Sequence, residues 1–170
     1  VNLKSILCGA TLILVPFLAV AEDAPELTGP AILTVYGDFD ADGVEDMRDF
    51  DLASLDAMTQ GAFETTTIWT EGVQSFSGVY VNTILEELGL TEGELFVSAI
   101  NDYVVSMPVS EMRPDEALLA TRRNGEEMSI RDKGPIWVVY PYDSDDDLRS
   151  EVVYSRSVWQ VKQLRVEPSE

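Results

Sequence analysis

The sequence predicts an α+β fold, a mixed, mainly β domain with a few short helices. Three observations lead there. Runs rich in β-branched and aromatic residues recur from residue 31 to residue 166, bounded by Gly, Pro, Asn or Asp. Only two stretches, residues 52–58 and 81–88, clearly space their apolar side chains as a helix does. Asn124-Gly125 is a strong two-residue hairpin signal, because a type I′ turn needs positive φ at both central positions and these residue types tolerate it best.

The elements follow in order. Residues 22–30 are polar and contain proline, and read as an unstructured lead. Residues 31–36 (AILTVY) form the first strand, which Gly37 ends. An acidic loop follows, and Asp51 is a good N-cap for the helix at 52–58, with Leu52, Leu55 and Met58 on one face. Gln60-Gly61 stops that helix. Residues 63–69 (FETTTIW) have the β-branched density of a strand and lead into a glycine-containing loop at 70–78. The helix at 81–88 turns Ile84, Leu85 and Leu88 inward and keeps Glu86 and Glu87 in solvent, with Gly89 just past its end. Residues 95–100 and 103–107 read as a hairpin turning at Asn101-Asp102, and 110–112 as one helical turn.

Residues 118–123 pair with 126–130 across Asn124-Gly125. Gly134-Pro135 breaks the chain, and 136–140 (IWVVY) is a buried strand ending at Pro141. Residues 142–147 (YDSDDD) make a second acidic loop and 151–154 a short edge segment. Residues 158–166 (VWQVKQLRV) alternate apolar and polar as a half-buried strand should, and 167–170 are a tail.

The order of these signals resembles the small-domain form of the molybdopterin-binding fold of sulfite oxidase and its bacterial relatives. The Asn124-Gly125 hairpin, the Gly134-Pro135 strand ending at Pro141, and Ser155-Arg156-Ser157-Val158-Trp159 before a final strand carry the likeness. Phe76-Ser77-Gly78-Val79 looks like the family's W-x-G element, and Asn101-Asp102-Tyr103 to Pro108 like its next strand pair. The likeness spans residues 31–166 as one domain.

The resemblance implies a cysteine that binds molybdenum, on the loop between the strand at 63–69 and the W-x-G element. Here that stretch reads TTTIWTEGVQSFSG and has no thiol. Trp137 takes the place of the family's arginine on the strand after Gly-Pro, whereas Arg156 lies where the family has a basic residue facing the cofactor. Oxo transfer is therefore not expected. Binding of a molybdopterin-like pterin or another small anion remains open.

Composition supports a globular domain with its own core. Residues 1–21 read as a signal peptide, with Lys4, an apolar run at 6–20 and the small residues Ala19-Val20-Ala21. This points to a periplasmic or secreted protein without stable membrane insertion after cleavage. Cys8 is the one cysteine and histidine is absent, so beyond the leader there is no thiolate nucleophile, disulfide or imidazole. A formal charge of −20 argues against nucleic acid as a partner.

Candidate binding residues come from charge and aromaticity. Seven of the eleven Lys and Arg residues lie from Arg113 to Arg156. Guanidinium forks on one pocket would hold a carboxylate or phosphate, so Arg131, Arg156, Arg122 and Lys133 are candidates, with Trp69, Asn101 and Tyr103 facing the same cleft. Surface pairing with nearby acids is the plain alternative. Asp38, Asp40 and Asp42 with Gly43 match the D-x-D-x-D-G pattern of calcium loops, and Asp49 stands at its twelfth position. Three functional readings follow. The first is a non-catalytic ligand-binding or accessory module for a small anion or a protein partner. The second is a molybdopterin-dependent oxidoreductase ligating metal through Glu64, Thr67 or Glu71. The third is a calcium-dependent interaction protein.

Overall fold

The computed structural model describes residues 26–169; the leader expected at 1–21 lies outside them. Two antiparallel-rich sheets pack around a shared apolar core. In chain order the elements are β1 (Leu33–Gly37), β2 (Asp46–Phe50), α1 (Leu52–Ala57), β3 (Gly61–Thr65), β4 (Gln74–Tyr80), α2 (Val81–Glu87), β5 (Glu94–Ala99), β6 (Val104–Pro108), β7 (Leu118–Arg123), β8 (Glu126–Glu127), β9 (Trp137–Val139), α3 (Glu151–Arg156) and β10 (Val161–Glu167).

The first sheet runs β2-β1-β10-β5-β6 and the second β3-β4-β7-β8, with β9 also on β7. The last strand is thus central: β10 lies parallel to β1, with Val35 opposite Leu164, and antiparallel to β5. Strict alternation breaks where the pairing with β5 shifts between Val161 and Gln163, and Val161, Leu164 and Val166 are all buried. Residues 118–120 and 136–140 are buried throughout, which explains the continuous run at 136–140. The hairpin turn has φ 53° at Asn124 and 82° at Gly125, in the left-handed region that a type I′ turn requires.

Several local expectations change. The strand expected at 63–69 is Gly61–Thr65, and the loop expected at 70–78 gives way to β4 at Gln74. Gly78 is inside that strand because β7 approaches too closely for a side chain: a Cβ there would collide with the Leu119 carbonyl oxygen. Beyond Asn124-Gly125 only Glu126–Glu127 pair, and Ile130–Asp132 form a 3-10 turn.

β2 went unseen because it is an acidic edge strand with little burial, Phe50 alone being buried. Residues 151–154, expected as an edge segment, open α3. The Ser150 side chain caps the Val153 N–H, with Glu151 in the first turn and Arg156 in the last, and these end effects outweigh the β preference of Val152 and Val153. The final strand starts at Val161 rather than 158, since Gln160 has φ 53° and breaks the extended run. Within the expected lead, Thr28 and Gly29 are tied to the Asp51 carboxylate.

Candidate ligand cleft

Residues 157–160 join α3 to β10 and run beside β9. The Val138 N–H donates to the Val158 carbonyl at 2.8 Å, and Trp137 bridges Trp159. This places Trp137, fully buried, beneath Trp159, which is 38% exposed. The Trp137 indole Nε1–H donates to the Ser157 carbonyl at 3.2 Å. Ser157 Oγ in turn donates to the Val153 carbonyl at 2.8 Å and accepts from the Tyr142 hydroxyl at 2.6 Å. Burial pushes the Tyr142 phenol up to about 12, so it stays a neutral donor.

Trp69 comes from the loop between β3 and β4. Its ring meets Trp137, Tyr142, Tyr154 and Trp159 edge-to-face at centroid distances of 5.7, 6.3, 5.8 and 6.0 Å. Such pairs add to the area they bury. The base of the loop is held by Asp143, which accepts from Thr66 N–H at 2.6 Å and from Thr66 Oγ1 at 2.7 Å. Those bonds, with Arg149 Nη2 at 2.7 Å, hold the Asp143 carboxyl below the usual range. Thr67 Oγ1 lies 2.8 Å from Thr70 Oγ1 and accepts from the Trp69 N–H. The Thr66 and Thr67 hydroxyls are therefore engaged in shaping the loop.

Between Trp69, Trp159 and the β5–β6 turn lies a cleft of about 290 Å³. Asn101, Tyr103, Tyr154 and Ser155 complete most of its wall. Asp102 takes φ 63° at the turn, Asn101 Oδ1 accepts from the Tyr103 N–H, and the Tyr103 hydroxyl reaches the Ser155 carbonyl at 3.2 Å. Among the described residues no charged side chain lines the cleft. Lys133 Nζ stands 4.1 Å from the Trp159 ring centroid and 5.3 Å from that of Trp137. Burial, followed by repulsion from Arg123, lowers its pKa.

The sequence candidates divide accordingly. Trp69, Asn101 and Tyr103 come together, whereas Lys133 does not line the cleft and meets it through the Trp159 ring that it faces. The arginines do not converge. Arg156 pairs with Glu111 at 2.6 Å, and Arg122 makes a bidentate pair with Asp56 at 2.6 and 2.7 Å, with Glu127 at 3.9 Å. Arg131 is exposed on the 3-10 turn and does not line the cleft. In so acidic a chain, neighbouring acids take up the guanidinium groups of Arg122 and Arg156. Tyr154 was missed because its stretch read as extended; the Ser150-Glu151 helix start was the available signal.

Asp38, Asp42 and Asp49 of the calcium pattern are engaged within their own loop and strand pair. Asp38 accepts from the Asp42 and Gly43 N–H groups, Asp42 from Val44, and Asp49 lies in β2, accepting from Thr34 Oγ1 at 2.6 Å. Among the described residues no group of three or more His, Cys, Asp or Glu is arranged to hold a metal ion. Asp40 is exposed in the same loop.

A model of the oxidoreductase molybdopterin binding domain matches residues 44–143. The chain belongs to that family. No curated protein matches it. The matched span takes in Trp69, the β5–β6 turn and β9, and ends before α3 and Trp159, so one wall of the cleft lies beyond it. In this member of the molybdopterin-binding domain family the donor set does not fit molybdenum. Soft thiolate ligation is what such a centre uses, and residues 66–73 offer only hydroxyls and the exposed carboxylate of Glu71. The phosphate end of a pterin finds Arg156 and Arg122 already paired.

Proposed function

We propose that this chain is a ligand-binding or accessory member of the molybdopterin-binding domain family that does not transfer oxygen atoms, and that it is exported to the periplasm or secreted. One observation carries the reading. The β3–β4 loop, where the resemblance expects a metal-binding thiolate, instead supplies Trp69 to an aromatic cluster beside an uncharged cleft. A ring there favours recognition of a ligand by stacking and shape. The 1–21 leader supports export.

The ligand is a small anion or a segment of a partner protein, with nucleic acid disfavoured by the acidic surface. Oxidoreductase activity through a non-thiolate ligand is less well supported: the Thr67 hydroxyl is bonded to Thr70, and Glu64 and Glu71 are exposed.

The test is metal and pterin analysis of protein purified from a host that makes molybdenum cofactor. Neither component in stoichiometric amount is the expected result. Molybdenum and pterin near one per chain would sink the non-catalytic reading.

A further inference from the structure

Of the four cations outside every ion pair among the described residues, Arg48, Arg123, Arg131 and Lys133, Lys133 is the one that faces aromatic rings. None of the ion pairs among the described residues includes it, although the chain carries a formal charge of −20. Its nearest charged influence is another cation, Arg123, and its amine is partly withdrawn from water. Facing the Trp159 and Trp137 rings offsets part of that cost. A cation so placed lacks an anion.

The cleft that shares the Trp159 ring with it has the complementary property. Trp69, Tyr103, Tyr154 and Trp159 give it flat apolar surface, Asn101 a polar edge, and among the described residues no side chain in its wall is charged. At about 290 Å³ it lies at the small end of ligand pockets. A ligand meeting both features has an uncharged ring and a single anionic group.

We infer that the cleft binds a small aromatic acid, its ring among Trp69, Tyr154 and Trp159 and its carboxylate on Lys133. The inference rests on the ligand-binding reading above and names the class of ligand. Charge selects the acid because a carboxylate gives Lys133 the counter-ion that the fold withholds. The rings select the aromatic body by edge and face contacts that aliphatic acids cannot make.

The probes are 2-naphthoate and its uncharged near-isostere 2-naphthamide, titrated calorimetrically into the metal-free full chain. The naphthoate is expected to bind about tenfold more tightly than the amide, as one charge-assisted contact implies. Lys133→Met, which leaves the ring cluster in place, should erase that difference, and Lys133→Arg should restore it. Trp159→Leu should weaken both probes. Equal binding of acid and amide to the unaltered protein would overturn the inference. So would unchanged naphthoate affinity in a folded Lys133→Met protein, or no naphthoate binding at all. These failures are distinct from failure of the broader reading, which is decided by molybdenum and pterin in the purified protein.

Discussion

The Asp51 carboxylate accepts the backbone N–H of Gly29 at 2.7 Å across 22 positions of the chain. The same carboxylate accepts from Thr28 and, through its other oxygen, caps α1 at the Ser54 N–H, while the Ser54 hydroxyl returns a bond to the Asp51 N–H. One side chain thus joins the entering chain to the start of a helix. These bonds, Ser54 foremost, hold its pKa far below the ordinary carboxylate value. A depressed folded-state pKa gives stability that is present above the unfolded value of about 3.9 and lost as pH falls toward the folded one. Asp51→Ala should lower Tm by several degrees at neutral pH and make the fall in Tm below about pH 4 shallower than in the unaltered protein. Thermal melts from pH 7 to 2 check both.

Calcium should not stabilise the protein. The Asp38 and Asp42 carboxylates are turned onto the N–H groups of their own loop, and Asp49 is engaged by Thr34 across the β1–β2 pair. A chelator and millimolar calcium are expected to leave Tm the same within error, and Asp40→Asn to be silent. A calcium-dependent rise in Tm would show that the loop reorganises to bind.

The fold was legible where one physical cause dominated. Ile136 to Tyr140 read as a buried strand because both of its faces are buried, and the Asn124-Gly125 turn follows from backbone sterics alone. α3 failed because Val152 and Val153 favour strands locally, while the Ser150 cap and the opposed charges of Glu151 and Arg156 act only once the helix exists. β2 failed because an edge strand need not alternate. For the site, aromatic residues could be picked by type, yet the partner of each arginine depends on strand order: Arg122 and Asp56 are 66 positions apart. Local sequence carries no record of that meeting.

Gly78 tests how tightly the second sheet is built. It lies in β4 where the pairing with β7 shifts between Ser77 and Gly78, and an added methyl would run into the Leu119 carbonyl oxygen. The atoms in the way are all β7 backbone, of Leu119 and Ala120, which leaves little that can give way. Gly78→Ala should cost about 2 kcal/mol or more, in the range of core overpacking. Ser77→Ala at the neighbouring half-buried position should cost much less. Urea unfolding of the pair gives the comparison.

Two neighbouring tyrosines should respond oppositely to loss of a hydroxyl. Tyr140 and Tyr142 are both buried, with ring centroids 6.3 Å apart. The Tyr142 hydroxyl is bonded to Ser157 Oγ, and that serine already donates to Val153, so the tyrosine is the donor and completes the chain of bonds. The Tyr140 hydroxyl is buried with no hydrogen-bond partner among the described residues, and burial drives its pKa far upward. A phenol in that position carries its desolvation cost without a compensating bond. Tyr142→Phe should therefore destabilise by about 1 kcal/mol, leaving Ser157 Oγ without its donor. Tyr140→Phe should be neutral or stabilise by up to about 1 kcal/mol. Denaturant titrations of both variants decide it: a loss at Tyr140 equal to that at Tyr142 would mean that its hydroxyl does find a partner in solution.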